Sequence, residues 1–217
     1  MENNFCLLHL EKETIHCFYG PPGIGKTTLC FQYMIETLNN NKKVYFIDTE
    51  SGFSLERVKQ INNSVDLKNL IVFKPKDFDE QQKILETLIK QTTKNNKVGL
   101  IIVDSLVMLY RLKLADMPFK INQALAEQLR ILREISMNLE IPIIVTNQMY
   151  RDFDTKESKM VGGNILEYWC KMIIDMDFEN GKPRLKIKKH KHKPSKKVYF
   201  QIKEKGISEK KKFNLFG

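Results

Sequence analysis

No run of 18 apolar residues occurs anywhere in this chain, which excludes a hydrophobic helix spanning a membrane. The first ten residues, MENNFCLLHL, have neither the basic start nor the small-residue cleavage site of a secretory signal. Cysteine is sparse. Cys6, Cys17, Cys30 and Cys170 are scattered without a Cys-x-x-Cys pair, so they read as buried free thiols of a reducing, cytoplasmic protein. Internal repeats and Gly/Ser-rich linkers are also missing, and 217 residues are enough for one domain with a sizeable core.

What is present is an uneven distribution of charge. The formal net charge is +10, yet the segment Lys182–Lys212 alone holds 14 Lys and Arg against two acids, Glu204 and Glu209. That segment nets +12, so the remaining residues sum to −2. A near-neutral body with a basic C-terminal segment suggests a polyanionic partner. The alternative is a generally lysine-rich surface.

Uninterrupted apolar, β-branched runs alternate with helical patterns. Strands are expected at Thr14–Gly20, Lys43–Asp48, Asn69–Pro75, Val98–Ser105 and Ile141–Gln148. Helices are expected at Thr27–Asn40, Ser54–Asn62, Asp79–Thr93 and Asn122–Glu140. Such alternation implies an α/β fold with a mostly parallel sheet covered on both faces. After Met149 the pattern changes to short strands, KMIIDMDFE, KPRLKIKKH and KKVYFQIK, with turns at Asn180–Gly181 and Pro194–Ser195. Asn-Gly is a strong hairpin signal, so antiparallel C-terminal strands are expected to extend the sheet within the same domain.

The segment Phe18–Cys30, FYGPPGIGKTTLC, contains Gly20-x-x-x-x-Gly25-Lys26-Thr27 between an apolar strand and a helix. This is a phosphate-binding loop. Its glycines let backbone N–H groups converge on phosphate oxygens, and the following helix presents its positive end to the same anion. The candidate nucleotide-binding residues are Gly20, Pro21, Pro22, Gly23, Ile24, Gly25, Lys26, Thr27 and Thr28, for ATP with Mg²⁺. Lys26 neutralises the outer phosphates and the Thr27 hydroxyl is a magnesium ligand. Asp104, closing the apolar strand LIIVD, is the partner acid for the metal; otherwise it caps the next turn. Glu50, after the strand that follows the loop helix, is placed to orient water, or else is a helix-start acid. Gln148, closing another buried strand, is placed to sense a terminal phosphate, or else is a turn residue.

These elements, in this order, resemble the RecA/RadA recombinase ATPases over nearly the whole chain. IDTESGFSLERV (Ile47–Val58) looks like that family's strand–loop–helix with the catalytic glutamate, and LIIVDS looks like its metal-binding strand. VTNQMYRDFD followed by VGGNILEYW looks like the glutamine sensor, the second DNA-binding loop and the Gly-Gly-Asn that ends it. LEYWCKMII and KHKHKP point within the family to its short archaeal paralogue. The resemblance implies catalytic roles for Lys26, Glu50 and Gln148 and sets Arg57 against the adenine, where the residues alone suggest a solvated helix position. It also implies a mixed sheet whose last strands run antiparallel.

DNA, single-stranded or branched, is the expected polyanion. The candidate contacts are Arg111 and Lys113 in YRLKLADMPFK, which matches the family's first DNA-binding loop by position, then Arg151 after the sensor, and the finger Lys189, His190, Lys191, His192 and Lys193. In a strand His190 and His192 share one side, so a metal site, a phosphate contact and a plain solvated edge all remain open. The tail residues Phe213 and Phe216 could dock on the domain or on a partner. Only 13 residues precede the first strand, so the helical N-terminal DNA-binding domain and polymerisation motif of RadA-like recombinases are expected to be absent. The resulting expectation is an accessory recombination and repair protein with weak ATPase activity and no strand exchange of its own. It would act with a RadA-type recombinase or a junction nuclease, with a homodimer also compatible. The alternatives are a self-sufficient strand-exchange recombinase, a small-molecule kinase, and a binding module whose nucleotide is structural.

Overall fold

The computed structural model describes residues 7–115, 117–151, 158–190 and 194–210. Among these residues ten strands make up the sheet: β1 (Ile15–Gly20), β2 (Lys43–Asp48), β3 (Leu70–Phe73), β4 (Val98–Asp104), β5 (Ile143–Arg151), β6 (Ser158–Met160), β7 (Met172–Glu179), β8 (Lys182–Lys189), β9 (Lys197–Lys203) and β10 (Gly206–Glu209). Their spatial order is β10-β9-β8-β7-β1-β5-β4-β2-β3, with β6 paired to β5. From β3 to β7 all neighbours run parallel, and β7-β8-β9-β10 are antiparallel. The expected mixed sheet is therefore present.

Among the described residues six α-helices accompany the strands: α1 (Lys26–Asn39), α2 (Leu55–Ile61), α3 (Phe78–Gln91), α4 (Met108–Leu114), α5 (Pro118–Leu139) and α6 (Gly163–Trp169). The apolar strands are buried on both faces because alternate side chains enter two different cores. Ile101, Val103, Ile143 and Val145 join Leu85, Leu129, Leu132 and Leu166 from the α3, α5 and α6 side. Ile102 and Ile144 join Leu29, Met34, Ile35 and Val58 from the α1 and α2 side.

Four differences from expectation have local causes. α4, α6, β6 and β10 span only three to seven residues each, too short for a periodic signal. α5 begins at Pro118 instead of Asn122, with the proline at the first helical position, where its missing N–H costs nothing. β5 runs past Gln148 to Arg151 because its end pairs with β6. β7, grouped by pattern with the antiparallel strands, runs parallel to β1, since α6 carries the chain back across the sheet. Between β7 and β8 the direction reverses at Asn180–Gly181, both with positive φ (52° and 70°), as a two-residue hairpin requires.

Two contacts fasten peripheral segments. The amide of Gln32 on α1 donates to Ile207 O (2.9 Å) and accepts from Ile207 N (2.8 Å), holding β10 over the loop helix. In the middle of the sheet the segment before β1 is tied down by His16. Its Nε2 accepts from Glu11 N (3.0 Å), which leaves the proton on Nδ1, 3.2 Å from Ile143 O. Burial holds this imidazole neutral, with its pKa lowered from 6.5 to about 4, against a weaker upward pull from the Ile143 carbonyl and Glu11. His190, the other imidazole here, lies 3.0 Å from Glu11 Oε1 through its Nε2.

A depressed histidine pKa means that the unfolded chain binds a proton the folded chain refuses. Stability from His16 is complete above about pH 6.5 and falls as the pH drops toward 4, by about 3 kcal/mol in total. Urea unfolding between pH 7 and 5 is expected to show this decline, and a flatter profile in His16→Gln.

Candidate functional site

The loop Gly20–Gly25 leaves β1 at the C-terminal edge of the sheet. Gly20 is required by close approach: a Cβ there would lie 2.1 Å from Met176 O on β7. Gly25 is required by conformation, with φ +99° at the start of α1, where it accepts from Leu29 N at 2.9 Å. Within the loop Ile24 is buried as an anchor, while Pro22 and Gly23 are exposed and Thr28 is half-buried. Lys26 folds back over the loop, and its Nζ donates to Gly20 O (2.8 Å) and Pro21 O (2.9 Å). Burial lowers the pKa of this ammonium, and the nearby Asp104 and Glu50 carboxylates oppose that.

Asp104 ends β4 almost fully buried. Its Oδ2 accepts from Thr27 Oγ1 (2.7 Å) and its Oδ1 from Thr146 Oγ1. Burial raises its pKa, the Thr146 and Thr27 hydroxyls pull it down, and the like charges of Glu50 and Asp48 push it up. Thr27 and Asp104, assigned separately from sequence, are thus brought into direct contact. Thr146 was missed. It lies two residues before Gln148 in the same strand and so shares its face, a signal that becomes useful only once β5 is known to lie beside β4.

Glu50 sits exposed after β2. Asp48 supports that turn, accepting from Gly52 N (2.9 Å) and Phe53 N (3.0 Å). Thr49 locks it to the neighbouring strand end: its hydroxyl donates to Ser105 O (2.7 Å) and accepts from Ser105 N (2.9 Å). Neither residue was anticipated. Gln148 reaches Glu50, with Nε2 2.8 Å from Oε1, while its own Oε1 accepts from Arg111 Nη1 at 2.6 Å. Lys26, Thr27, Asp104, Glu50 and Gln148 therefore gather at one sheet edge. Arg57 reaches the same end of the molecule but is occupied by the β9–β10 turn, donating to Lys203 O and Glu204 O at 2.8 Å each.

The donor set suits a hydrated magnesium ion on a nucleotide. It offers hard oxygens, one hydroxyl and one carboxylate, beside an ammonium. No group of three or more His, Cys, Asp or Glu able to hold a metal exists among the described residues.

The nucleic-acid candidates separate in the structure. Arg111 and Lys113 lie on α4 rather than in a loop, and Lys113 pairs with Asp79. Lys189 closes β8 and donates to Glu167 O. His190 departs from the expected finger: β8 ends before it, and its side chain, 1% exposed, is turned inward against Glu11 instead of outward with the lysines. Lys191, His192, Lys193, Phe213 and Phe216, and the side chain of Arg151, lie outside the described residues. A feature missed from sequence is a cavity of about 1010 Å³ between α4, the β5–β6 hairpin, α6 and β8, lined by Tyr19, Tyr110, Tyr150, Lys159 and Lys188 among others. Lys188 Nζ stands 5.3 Å from the centre of the Tyr19 ring.

A glycine-rich loop, a buried strand-end aspartate and a strand-end amide on this mixed sheet define a RecA-like nucleotide-binding fold. The chain belongs to the Rad51 family, whose profile matches residues 7–210. It is similar to the DNA repair and recombination protein RadB of Methanococcus maripaludis, 38% identical over 206 residues covering 92% of this chain and 93% of the relative. The RadB protein of Methanocaldococcus jannaschii is likewise 38% identical, over 213 residues covering 95% and 98%. A crystal structure of the RadB recombinase superimposes with a TM-score of 0.75 at 32% identity, covering 91% of each chain. The resemblance to the short archaeal paralogue inferred from LEYWCKMII and KHKHKP is borne out.

Thr146→Val removes one of the two hydroxyls that keep Asp104 charged. The expected result is a further rise in the Asp104 pKa, followed by carboxyl NMR titration. A stability loss of about 1–3 kcal/mol at pH 7 is also expected in urea unfolding, the cost of stranding a buried acceptor.

Proposed function

We propose that this protein is an ATP-binding DNA repair and recombination protein that binds single-stranded or branched DNA. Its ATPase is weak, and it acts beside a RadA-type recombinase or a junction nuclease. The observation that carries this reading is the gathering of Lys26, Thr27, Asp104, Glu50 and Gln148 at one edge of the sheet. Similarity to proteins named DNA repair and recombination protein RadB supports the biological setting, a cytoplasmic protein at the nucleoid. The chain works as one ATPase domain, with the basic hairpin as part of it.

In this reading Lys26 would exchange its two loop carbonyls for phosphate oxygens, and Thr27 and Asp104 would hold magnesium. Bound there, the metal would neutralise charge on the phosphates. Glu50 orients the attacking water, Gln148 senses the terminal phosphate, and Arg57 flanks the adenine from the β9–β10 turn. Glu50 is exposed, so water is poorly excluded from the edge it would control, which is consistent with slow turnover.

DNA is proposed to enter the tyrosine- and lysine-lined cavity, where the exposed Tyr150 ring stacks on a base and the ammonium groups replace phosphate counterions. Arg111, Lys113, Arg151 and the Lys189–Lys193 segment are proposed to flank it. A second reading, a self-sufficient strand-exchange recombinase, is favoured by the likeness to the crystal structure of the RadB recombinase.

Lys26→Ala is expected to weaken ATP binding roughly 10–100-fold by calorimetry, the value of a hydrogen-bonded charge; unchanged affinity contradicts the site. Joint replacement of Lys159 and Lys188 by Ala is expected to lower the log–log salt slope of oligonucleotide binding by about 1 to 1.5. Strand exchange by the protein alone would favour the second reading.

A further inference from the structure

The amide of Gln148 is held between two groups of opposite hydrogen-bonding character. On one side a guanidinium, Arg111 Nη1, approaches its Oε1 at 2.6 Å. On the other a carboxylate, Glu50 Oε1, accepts from its Nε2 at 2.8 Å. A guanidinium only donates and an ionised carboxylate only accepts. Of the two ways an amide can be turned, one satisfies both neighbours and the other opposes both. Arg111 therefore sets the polarity of Gln148, so that its N–H edge faces Glu50 and its carbonyl faces α4. Met108 adds a second contact from the same helix, its Sδ 3.9 Å from Nε2, three residues before Arg111. Glu50, Gln148 and Arg111 thus form a row of side chains from the end of β2, across β5, to α4.

Arg111 is itself exposed, and only one of its five N–H donors is needed for Gln148. Among the described residues the others meet no acceptor, which leaves them to an anion in front of α4. Phosphate and amide carbonyl are both acceptors, so the guanidinium can serve them together, and an anion that orders Arg111 also orders Gln148. We propose that Arg111 is the positioning residue that links polyanion binding at α4 to nucleotide binding at the loop, by fixing the orientation of the Gln148 amide. The inference rests on the reading of Gln148 as the residue that meets the terminal phosphate. Linkage makes the effect reciprocal: the factor by which an oligonucleotide tightens ATP binding equals the factor by which ATP tightens the oligonucleotide.

The test measures that factor. A fluorescein-labelled oligodeoxythymidine is titrated by anisotropy with and without a non-hydrolysable ATP analogue and magnesium. The analogue is then titrated by calorimetry with and without the unlabelled oligonucleotide. For the native chain a coupling of at least about fivefold is expected in both directions. In Arg111→Ala and Arg111→Gln it is expected to fall to near one, while the analogue alone still binds. Arg111→Lys keeps a donor-only cation and is expected to retain part of it. A parallel loss of DNA affinity with and without the analogue, leaving the ratio intact, would make Arg111 a phosphate contact only and overturn the inference. So would a native ratio of one. A native chain that binds neither the analogue nor the oligonucleotide would instead overturn the functional reading beneath it.

Discussion

The buried carboxylate of Asp104 is the constraint around which the site is organised. A charge at the end of a buried strand is tolerated only when donors surround it. Here the donors come from different parts of the chain, Thr27 at the start of α1 and Thr146 on β5. Meeting that requirement pins the loop helix to two central strands. The same contacts oppose the effect of burial on the carboxyl and help keep it charged. An acidic strand end left without them would be a destabilising defect rather than a candidate metal ligand.

The outer strands show how a second layer of constraints closes over the loop. Gln32 fixes β10 to α1, and Arg57 fixes the turn before β10 to α2. A Cβ at Gly25 would collide with Ile202 and Ile207 of the same two strands. The antiparallel extension is therefore packed on the phosphate loop itself. This places a part of the chain that carries no nucleotide motif against the nucleotide site.

The basic C-terminal segment behaves differently from its charge count. Arg184 pairs with Asp175 at 2.8 Å and approaches Asp177, while Lys197 pairs with Glu179 at 2.7 Å. These acids belong to β7, outside the segment whose charge was summed; Asp177 lies directly opposite Arg184 in the antiparallel register, Asp175 lies diagonal to it, and Lys197 reaches Glu179 from β9, across β8. Two of the segment's cations, Arg184 and Lys197, are therefore offset by acids that its own charge sum leaves out. The lysines that border the tyrosine-lined cavity, Lys159 and Lys188, were legible only as members of charged runs. Their association with Tyr19 and Tyr110 joins residues up to 169 positions apart along the chain, which no local pattern reveals.

The sequence by itself determined the phosphate loop, the strand-end acids and amide, and the alternation of buried strands with helices. Each is a local code: a glycine spacing, a run of β-branched residues, or a carboxylate at the end of one. Family membership followed from the order of those codes. Tertiary structure alone decided which strand lies beside which. It thereby decided that Thr146 meets Asp104, that Arg111 meets Gln148, and that His190 turns inward to Glu11. The physical reason is that hydrogen bonds and ion pairs act over about 3 Å in space, whatever the separation in sequence. Strand order, set by burial of two apolar faces at once, is what converts one kind of distance into the other.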